Sequence, residues 1–452
     1  VAGCSRAHTR PRPRIQEDQV RFRSILGVTV AVALAATSAA ACKSSSSGGG
    51  GNSNSTTGSA TTSAGGGSGK TVTIATDLPL QGSNKDTNDA TNKLIQLYLD
   101  QQGGKAGNYN VKLSTYDDSI ASTGSWDPAT CTSNANKHVT TTSEIAVMGT
   151  YNSGCAKLEV PILNAAPMLM VSDANTNPGL TKTWDPGEPD KYYPSGKRNY
   201  ARVVTTDDFQ GSAAADFAKE TLKVTKCYIV NDNSTYGQGV ARAFEAQAKK
   251  DGITVLGNDA WDSKASNYTA LFTKIKAKNP DCLYIGGTYD LNGGQLVKDK
   301  FNVLGDNTKV KMLGPDGFTG YPALDKQSQS QGMYLTFAGL ASEQLLKQGG
   351  AGGKLLEAYK AKYGAYPVGN YPLYGVAAVQ VIMAAIAKSD GTRQGVVNQV
   401  FGTTPITIPA DQSVLGKELV IDPKSGDVNA KDISVLVMKN NAETFLQAQS
   451  VK

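Results

Sequence analysis

From Thr71 onward, short apolar runs alternate with stretches whose apolar positions recur at helical spacing, a pattern that predicts strands and amphipathic helices in turn. Strands are predicted at Thr71 to Thr76, Val111 to Tyr116, Ile145 to Met148 and Met168 to Val171, with helices at Ala90 to Gln101 and Pro128 to His138. In the first of these helices Leu94, Leu97 and Tyr98 share one face. A Pro-, Gly- and Tyr-rich insertion, Trp184 to Tyr200, interrupts the alternation. It then restarts with strands at Cys227 to Val230, Val255 to Leu256, Cys282 to Ile285 and Val310 to Leu313, and helices at Gly239 to Lys250, Ala270 to Lys278 and Gly294 to Phe301. Helices at Lys354 to Tyr363, Leu373 to Lys388 and Gln394 to Phe401 follow, then strand material at Leu419 to Ile421 and Ile433 to Val437.

Strands alternating with helices predict an α/β fold with parallel sheets, and two such runs in succession predict two similar Rossmann-like lobes. In open α/β sheets ligands bind beyond the carboxyl ends of the strands, where loops and helix N-termini converge. Two lobes facing each other in this way form a cleft, so the residues just after strands are the candidates for binding.

The N-terminal region departs from this pattern. Arg21 and Arg23 precede an apolar run, Ile25 to Ala41, which ends in Ala39-Ala40-Ala41-Cys42 and gives way to Lys43 and four serines. That run is short for a membrane span and predicts a cleavable export signal in residues 1–41. The Arg- and Pro-rich residues 1–19 read as an over-extended start, with Val20 as an alternative one. The ending resembles the lipobox of bacterial lipoproteins, with Ala39 where Leu is usual; the resemblance implies that Cys42 is lipidated and anchors the chain in the membrane. Ordinary cleavage near Ala41 is the alternative. Residues 42–70 are almost all Ser, Gly, Thr, Asn and Ala, a composition that buries nothing and serves as a tether.

Of the formal charge of +6 among 452 residues, +4 lies in residues 1–41, where six arginines face Glu17 and Asp18. The remaining chain is nearly neutral, and no nucleic-acid partner is expected. Four cysteines lie in the folded body, and an even count in an exported chain predicts disulfides. Of the three pairings possible, Cys131 with Cys155 and Cys227 with Cys282 is favoured. The second pair is suggested by the matching places of its members in Lys226-Cys227-Tyr228-Ile229-Val230 and Asp281-Cys282-Leu283-Tyr284-Ile285. Two buried free thiols in neighbouring strands are the alternative.

Several motifs fail on context. Ala64 to Thr71 satisfies a relaxed phosphate-loop pattern, but a strand must precede such a loop and a helix follow it, whereas here a tether precedes and a strand follows. Gly349 to Gly353 is expected to be a loop opening a helix. His138, the folded body's single histidine, is expected at a helix end or on the surface, and no second histidine exists to build a metal site. Asp117-Asp118 and Asp207-Asp208 are adjacent pairs, which rarely converge on one bond, and are read as solvated or turn-forming acids. With no nucleophile and base arrangement, the expectation is a binding protein, not an enzyme, with no cofactor and no metal.

Five blocks resemble type I periplasmic binding proteins, in particular the Leu/Ile/Val-binding branch. They are Gly149-Thr150-Tyr151-Asn152-Ser153-Gly154-Cys155, Met168 to Pro178, Asn231 to Gly239, Tyr284 to Tyr289 and Gly314-Pro315-Asp316-Gly317, in family order. The resemblance implies two lobes joined by three crossovers near Val203 to Asp207, Thr336 to Gly339 and Ile433 to Val437. Lobe 1 would comprise residues 71–204 and 337–432, and lobe 2 residues 205–336 and 433–452. It also implies a ligand set. Ser153 would receive a carboxylate at a helix N-terminus; Ala174 would offer a carbonyl to an ammonium; Thr176 would offer an N–H and a hydroxyl to the carboxylate. Tyr236 and Tyr289 would cover the ligand, and Asp316, where Glu is more usual, would pair with the ammonium. Gln81 to Asn84 offers no aromatic where some relatives carry one. The implied function is an extracytoplasmic, lipid-anchored binding protein that closes on an amino-acid-like ligand and presents it to the permease of an ABC transporter. A sensing receptor with the same clamshell and no transport role is the alternative.

Overall fold

The computed structural model describes residues 69–449. The predicted export signal, Cys42 and the tether up to residue 68 lie outside the described residues. Two sheets carry the fold. The first runs in the order Lys105–Ala106, Tyr109–Asp117, Thr71–Leu78, Glu144–Gly149, Leu169–Ser172, Tyr200–Arg202, parallel apart from the short edge strand. The second runs Thr254–Ala260, Lys226–Asn231, Cys282–Gly286, Lys311–Gly314, Tyr334–Phe337, Ile433–Lys439, Ala442–Gln449. Its first five strands are parallel; the last two form an antiparallel hairpin on its edge. The hairpin's final strand was not expected from the sequence.

Both faces of each sheet are covered, so successive residues along a strand are all apolar yet enter different cores. In the first sheet Ile74, Ala146, Leu169 and Val171 pack on one side, while Ala75, Val147 and Met170 pack on the other with Ala156, Val160 and Leu163 of the helix Ser153–Ala165. In the second, Tyr228, Val230, Leu283 and Ile285 face one core, and Cys227, Ile229, Cys282 and Tyr284 face the other. Cys227 and Cys282 are register partners on adjacent strands, with Cα atoms 4.4 Å apart, and are joined in a disulfide. Cys131 and Cys155, 5.7 Å apart at Cα, form another between the helices Pro128–Thr140 and Ser153–Ala165.

Helix starts follow local chemistry. Asp127 accepts a hydrogen bond from the Thr130 N–H at 2.9 Å, with Pro128 in the first turn, and Ser234 accepts from the Gly237 N–H at 3.0 Å to open Thr235–Lys250. The 18-residue helix Tyr371–Lys388 has a mean hydropathy of 1.4 and is 83% buried. It packs against Lys85–Gln101 and the first sheet as the spine of that lobe. The chain leaves the first sheet after Arg202, returns to that lobe after Phe337, and rejoins the second sheet at Ile433.

The crossings expected near Thr336 to Gly339 and Ile433 to Val437 fall at the adjoining ends of two strands that pair antiparallel with each other, where Ser434 Oγ donates to the Gly339 carbonyl at 2.8 Å. Several other expectations are corrected. Gly350 to Gly353 are already helical, in Gly350–Tyr363, and Gly352 approaches the Val414 carbonyl too closely to leave room for a side chain. Asp207 opens an unforeseen helix, Asp207–Glu220, and its side chain is fully buried, as is that of Asp118. His138 lies in the last turn of the helix Pro128–Thr140, at the helix end expected, but it is fully buried between Asp77 and Glu144 and not at the surface. In the insertion, Tyr192, Tyr193 and Tyr200 are buried in the first lobe, while Asp185 pairs at 2.7 Å with Arg242 of the second, whose guanidinium lies over the Trp184 ring.

Candidate functional site

The loops after the strands meet between the two sheets. Tyr151, Asn152, Ser153 and Ala174 from the first lobe, with Tyr371 from the first turn of its spine helix, face Tyr236, Thr288, Asp316 and Gly317 of the second around a cavity of about 20 Å³. Each residue is set by its element. Ser153 is the first residue of its helix, where backbone N–H groups without helical partners point outward and favour an anion. Tyr236 lies in the first turn of Thr235–Lys250, and Asp316 follows the strand Lys311–Gly314. Gly317 allows close approach, since a Cβ there would stand 2.4 Å from the Gly287 carbonyl and 2.8 Å from the Tyr236 ring.

The first-lobe loops are clamped by buried polar groups. Ser172 Oγ donates to the Thr150 carbonyl at 2.9 Å, and Asn175 Nδ2 donates to the carbonyls of Thr150 and Tyr151 at 2.7 and 3.0 Å. The fully buried Arg202 donates to the carbonyls of Asn175 and Asn177 at 2.8 and 2.9 Å and pairs with Asp427 at 2.8 Å. Arg202 thus shapes the loop from behind and is not among the residues that line the cavity.

Asp316 is the electrostatic centre. Its carboxylate accepts hydrogen bonds from Tyr236 at 2.5 Å and Gln210 at 2.7 Å, and from the Tyr371 hydroxyl across the lobe boundary. Burial raises its pKa, and these three donors act against the rise. Asp207 is also raised well above the usual range by burial and then by the negative charge of Asp316, the Thr176 hydroxyl and Arg202 partly offsetting both. No lysine or arginine is among the residues around the cavity. The second-lobe side is therefore built to receive positive charge, while the helix N-terminus at Ser153 suits a carboxylate.

Of the six candidate ligand residues, the structure brings Ser153, Ala174, Tyr236 and Asp316 to the cavity. Thr176 is fully buried behind it, its carbonyl accepting from the Asp207 N–H at 2.9 Å. Tyr289 is half-buried within the second lobe, its ring 4.8 Å from that of Tyr321, and does not reach the cavity. Tyr371, Gln210, Thr288 and Arg202 were missed. Tyr371 sits 55 residues from Asp316, and no local signal connects them.

The lobes are drawn together. Besides Asp316 and Tyr371, Thr87 Oγ1 donates to the Gly320 carbonyl at 2.8 Å, Tyr321 to Asn84 Oδ1 at 2.6 Å, and Asn177 Nδ2 to the Thr235 carbonyl at 3.2 Å. Two α/β lobes linked by three chain crossings, closed over a buried site with opposite electrostatic ends, define the class of hinged clamshell binding proteins.

The comparisons agree with that class. The periplasmic binding protein family matches residues 71–419. The Leu/Ile/Val-binding protein BraC3 of Rhizobium johnstonii is 30% identical over 322 residues, 70% of this chain and 79% of that one. Among solved structures, the leucine-binding protein LivK of Thermotoga maritima superposes with a TM-score of 0.70 at 22% identity, covering 84% of this chain and 99% of that one. A solute-binding protein of an ABC transporter from R. palustris, in complex with 4-hydroxybenzoate, also reaches 0.70, at 16% identity over 85% and 98%. This chain belongs to the periplasmic binding protein family, in its branched-chain amino acid branch.

Proposed function

We propose that this protein is the extracytoplasmic substrate-binding component of an ABC importer, and that it captures an amino acid of the branched-chain kind by hinge closure without covalent chemistry. The observation that carries this reading is the meeting, in one buried cavity, of a helix N-terminus at Ser153 with the carboxylate of Asp316. A zwitterion satisfies both ends. An aromatic acid such as the one bound by the R. palustris protein would satisfy the first and leave Asp316, with Asp207 behind it, facing no cation.

The closed form leaves about 20 Å³ at the site, well below the roughly 300–1,000 Å³ of most small-molecule pockets. An amino acid therefore enters by parting of the lobes, which breaks the few hydrogen bonds between them, and the reclosed surface is what a permease would engage. Export and lipidation at Cys42 complete the proposal: the Ser/Gly tether lets the clamshell work near the membrane while anchored to it.

A thermal-shift screen of leucine, isoleucine, valine, other amino acids, benzoate and 4-hydroxybenzoate tests the ligand class, because a ligand of the native state raises Tm. A rise with a zwitterionic amino acid is expected. A rise with aromatic acids alone would overturn the assignment. Replacing Cys42 with Ala should release the protein from membranes into the soluble extracytoplasmic fraction.

A further inference from the structure

Six residues along the helix from Ser153, about 9 Å away along its axis, the first lobe buries a cluster that ligand binding does not use. Asp77, Asp118, His138, Glu144 and Glu159 are all at most 1% exposed. One ligating atom each of Asp77, His138 and Glu159 lies within 4.8 Å of the other two. His138 Nε2 stands 3.1 Å from Asp77 Oδ2, and His138 Nδ1 is 2.8 Å from Glu144 Oε2. Glu144 is itself fixed, its other oxygen accepting from Ser114 and Tyr116 at 2.8 Å, and Asn134 donates to Asp77 Oδ1 at 3.1 Å.

This is how metal-binding histidines are built: a carboxylate holds one ring N–H, fixing the tautomer and orientation, and the other nitrogen turns its lone pair toward the remaining ligands. The remaining ligands are present, with capacity to spare. Glu159 Oε2 and both oxygens of Asp118 are buried and have no hydrogen-bond partner. Asp118 lies against the same groups: its carboxylate interacts with Asp77 and Glu159, and one of its oxygens lies within 4.8 Å of the Cys131–Cys155 sulfurs. Among the described residues no lysine or arginine forms an ion pair with Asp77, Asp118 or Glu159. A protonated His138 can offset Asp77 and Glu144, whereas Asp118 and Glu159 face no cation, and a buried carboxylate without a counter-charge costs several kcal/mol.

We propose that Asp77, His138 and Glu159, with Asp118 as the fourth donor, form a buried site for one divalent first-row transition ion of the zinc class. Ligand bonds of about 2.0–2.2 Å in a tetrahedron place donor atoms roughly 3.3 Å apart, so the 3.1 Å between His138 Nε2 and Asp77 Oδ2 already suits the ion; Glu159, within 4.8 Å of both, closes in on it, and Asp118 turns in from beside the disulfide. The one-nitrogen, three-oxygen set fits zinc or manganese and offers no free thiolate, since both nearby cysteines are in a disulfide. The ion's role is structural. It ties the strand Thr71–Leu78 and the turn at Asp118 to the helices Pro128–Thr140 and Ser153–Ala165, and so fixes the helix whose first residue is Ser153.

The test uses the exported, oxidised protein without a polyhistidine tag. It is unfolded in guanidinium chloride with EDTA, then refolded with Zn²⁺, with Mn²⁺ or with chelator alone, desalted, and assayed for bound metal by mass spectrometry and for Tm by calorimetry. About one equivalent of Zn²⁺ or Mn²⁺ should be retained, and the ion should raise Tm by several degrees over the chelated protein. Glu159→Gln keeps the side chain's shape and should weaken retention at least tenfold and abolish the Tm response; Asp118→Asn provides the same reading if the first variant does not fold. Retention below a tenth of an equivalent with no change in Tm would overturn the proposal and leave shared protons as what neutralises the cluster. Unchanged metal retention in both variants would equally overturn it.

Discussion

Replacing Asp316 with Asn keeps the shape of the side chain and removes the charge on which the amino-acid reading depends. In the structure the carboxylate already accepts from Tyr236, Gln210 and Tyr371, and an amide oxygen can keep part of that set. The fold should survive. The charge is also costly to bury, as the upward shift of its pKa by desolvation shows, so the free variant should be at least as heat-stable as the parent. Ligand affinity should behave oppositely. Removing one partner of a buried charge pair costs about 3–5 kcal/mol, and each 1.4 kcal/mol is tenfold, so the variant should bind its amino acid roughly a hundred- to several-thousand-fold more weakly.

Linkage adds a second, independent readout. In the free protein the raised pKa keeps a proton on Asp316 to higher pH than on an ordinary carboxyl, and an arriving ammonium favours the ionised form. Binding should therefore release a proton as pH passes from the usual carboxyl range up through the raised pKa, and affinity should rise with pH across that window. Titration calorimetry in buffers of different ionisation enthalpy measures the release, which Asp316→Asn should abolish. Affinity within tenfold of the parent, or an unchanged proton release, would refute the role given to Asp316.

Further outcomes follow from other parts of the molecule. Replacing Cys227 and Cys282 together with Ala opens a loop of 55 residues and should cost about 4 kcal/mol in reversible denaturation; a loss below 1 kcal/mol would deny the cross-link a stabilising role. Arg202→Met strands the Asn175 and Asn177 carbonyls and should lower stability by about 3–5 kcal/mol while also weakening ligand binding, because the loop carrying Ala174 loses its support. Asp185→Ala breaks an exposed pair between the lobes and should change stability by no more than about 1 kcal/mol, with any effect appearing in ligand off-rate. Burial, aggravated by Asp325, raises Glu443 to about 8 although the Gly320 N–H acts against it. The folded state then holds a proton that the unfolded chain has lost, so stability should fall as pH rises from about 4.5 to about 8, and Glu443→Gln should flatten that fall in pH-dependent melts.

The sequence by itself determined the α/β class, most of the parallel strands and the two successive runs, because strands buried on both faces are nearly continuous apolar segments and cannot be hidden by context. Ser153, Ala174, Tyr236 and Asp316 were named through the family resemblance, and each follows a strand, where such folds place their ligands. Thr176 and Tyr289, named on the same basis, stand outside the cavity lining, since a loop's position says where a residue starts but not which way its side chain turns. The strand ending at Gln449 and the helix at Asp207 escaped because their polar residues weaken the apolar period. Only the tertiary structure could bring Tyr371 and Gln210 to one carboxylate, or gather Asp77, Asp118, His138, Glu144 and Glu159 from five separate segments into one buried cluster. A buried polar group and a solvated one look alike in sequence. What distinguishes them is which distant segment packs over them, and that is decided when the chain folds.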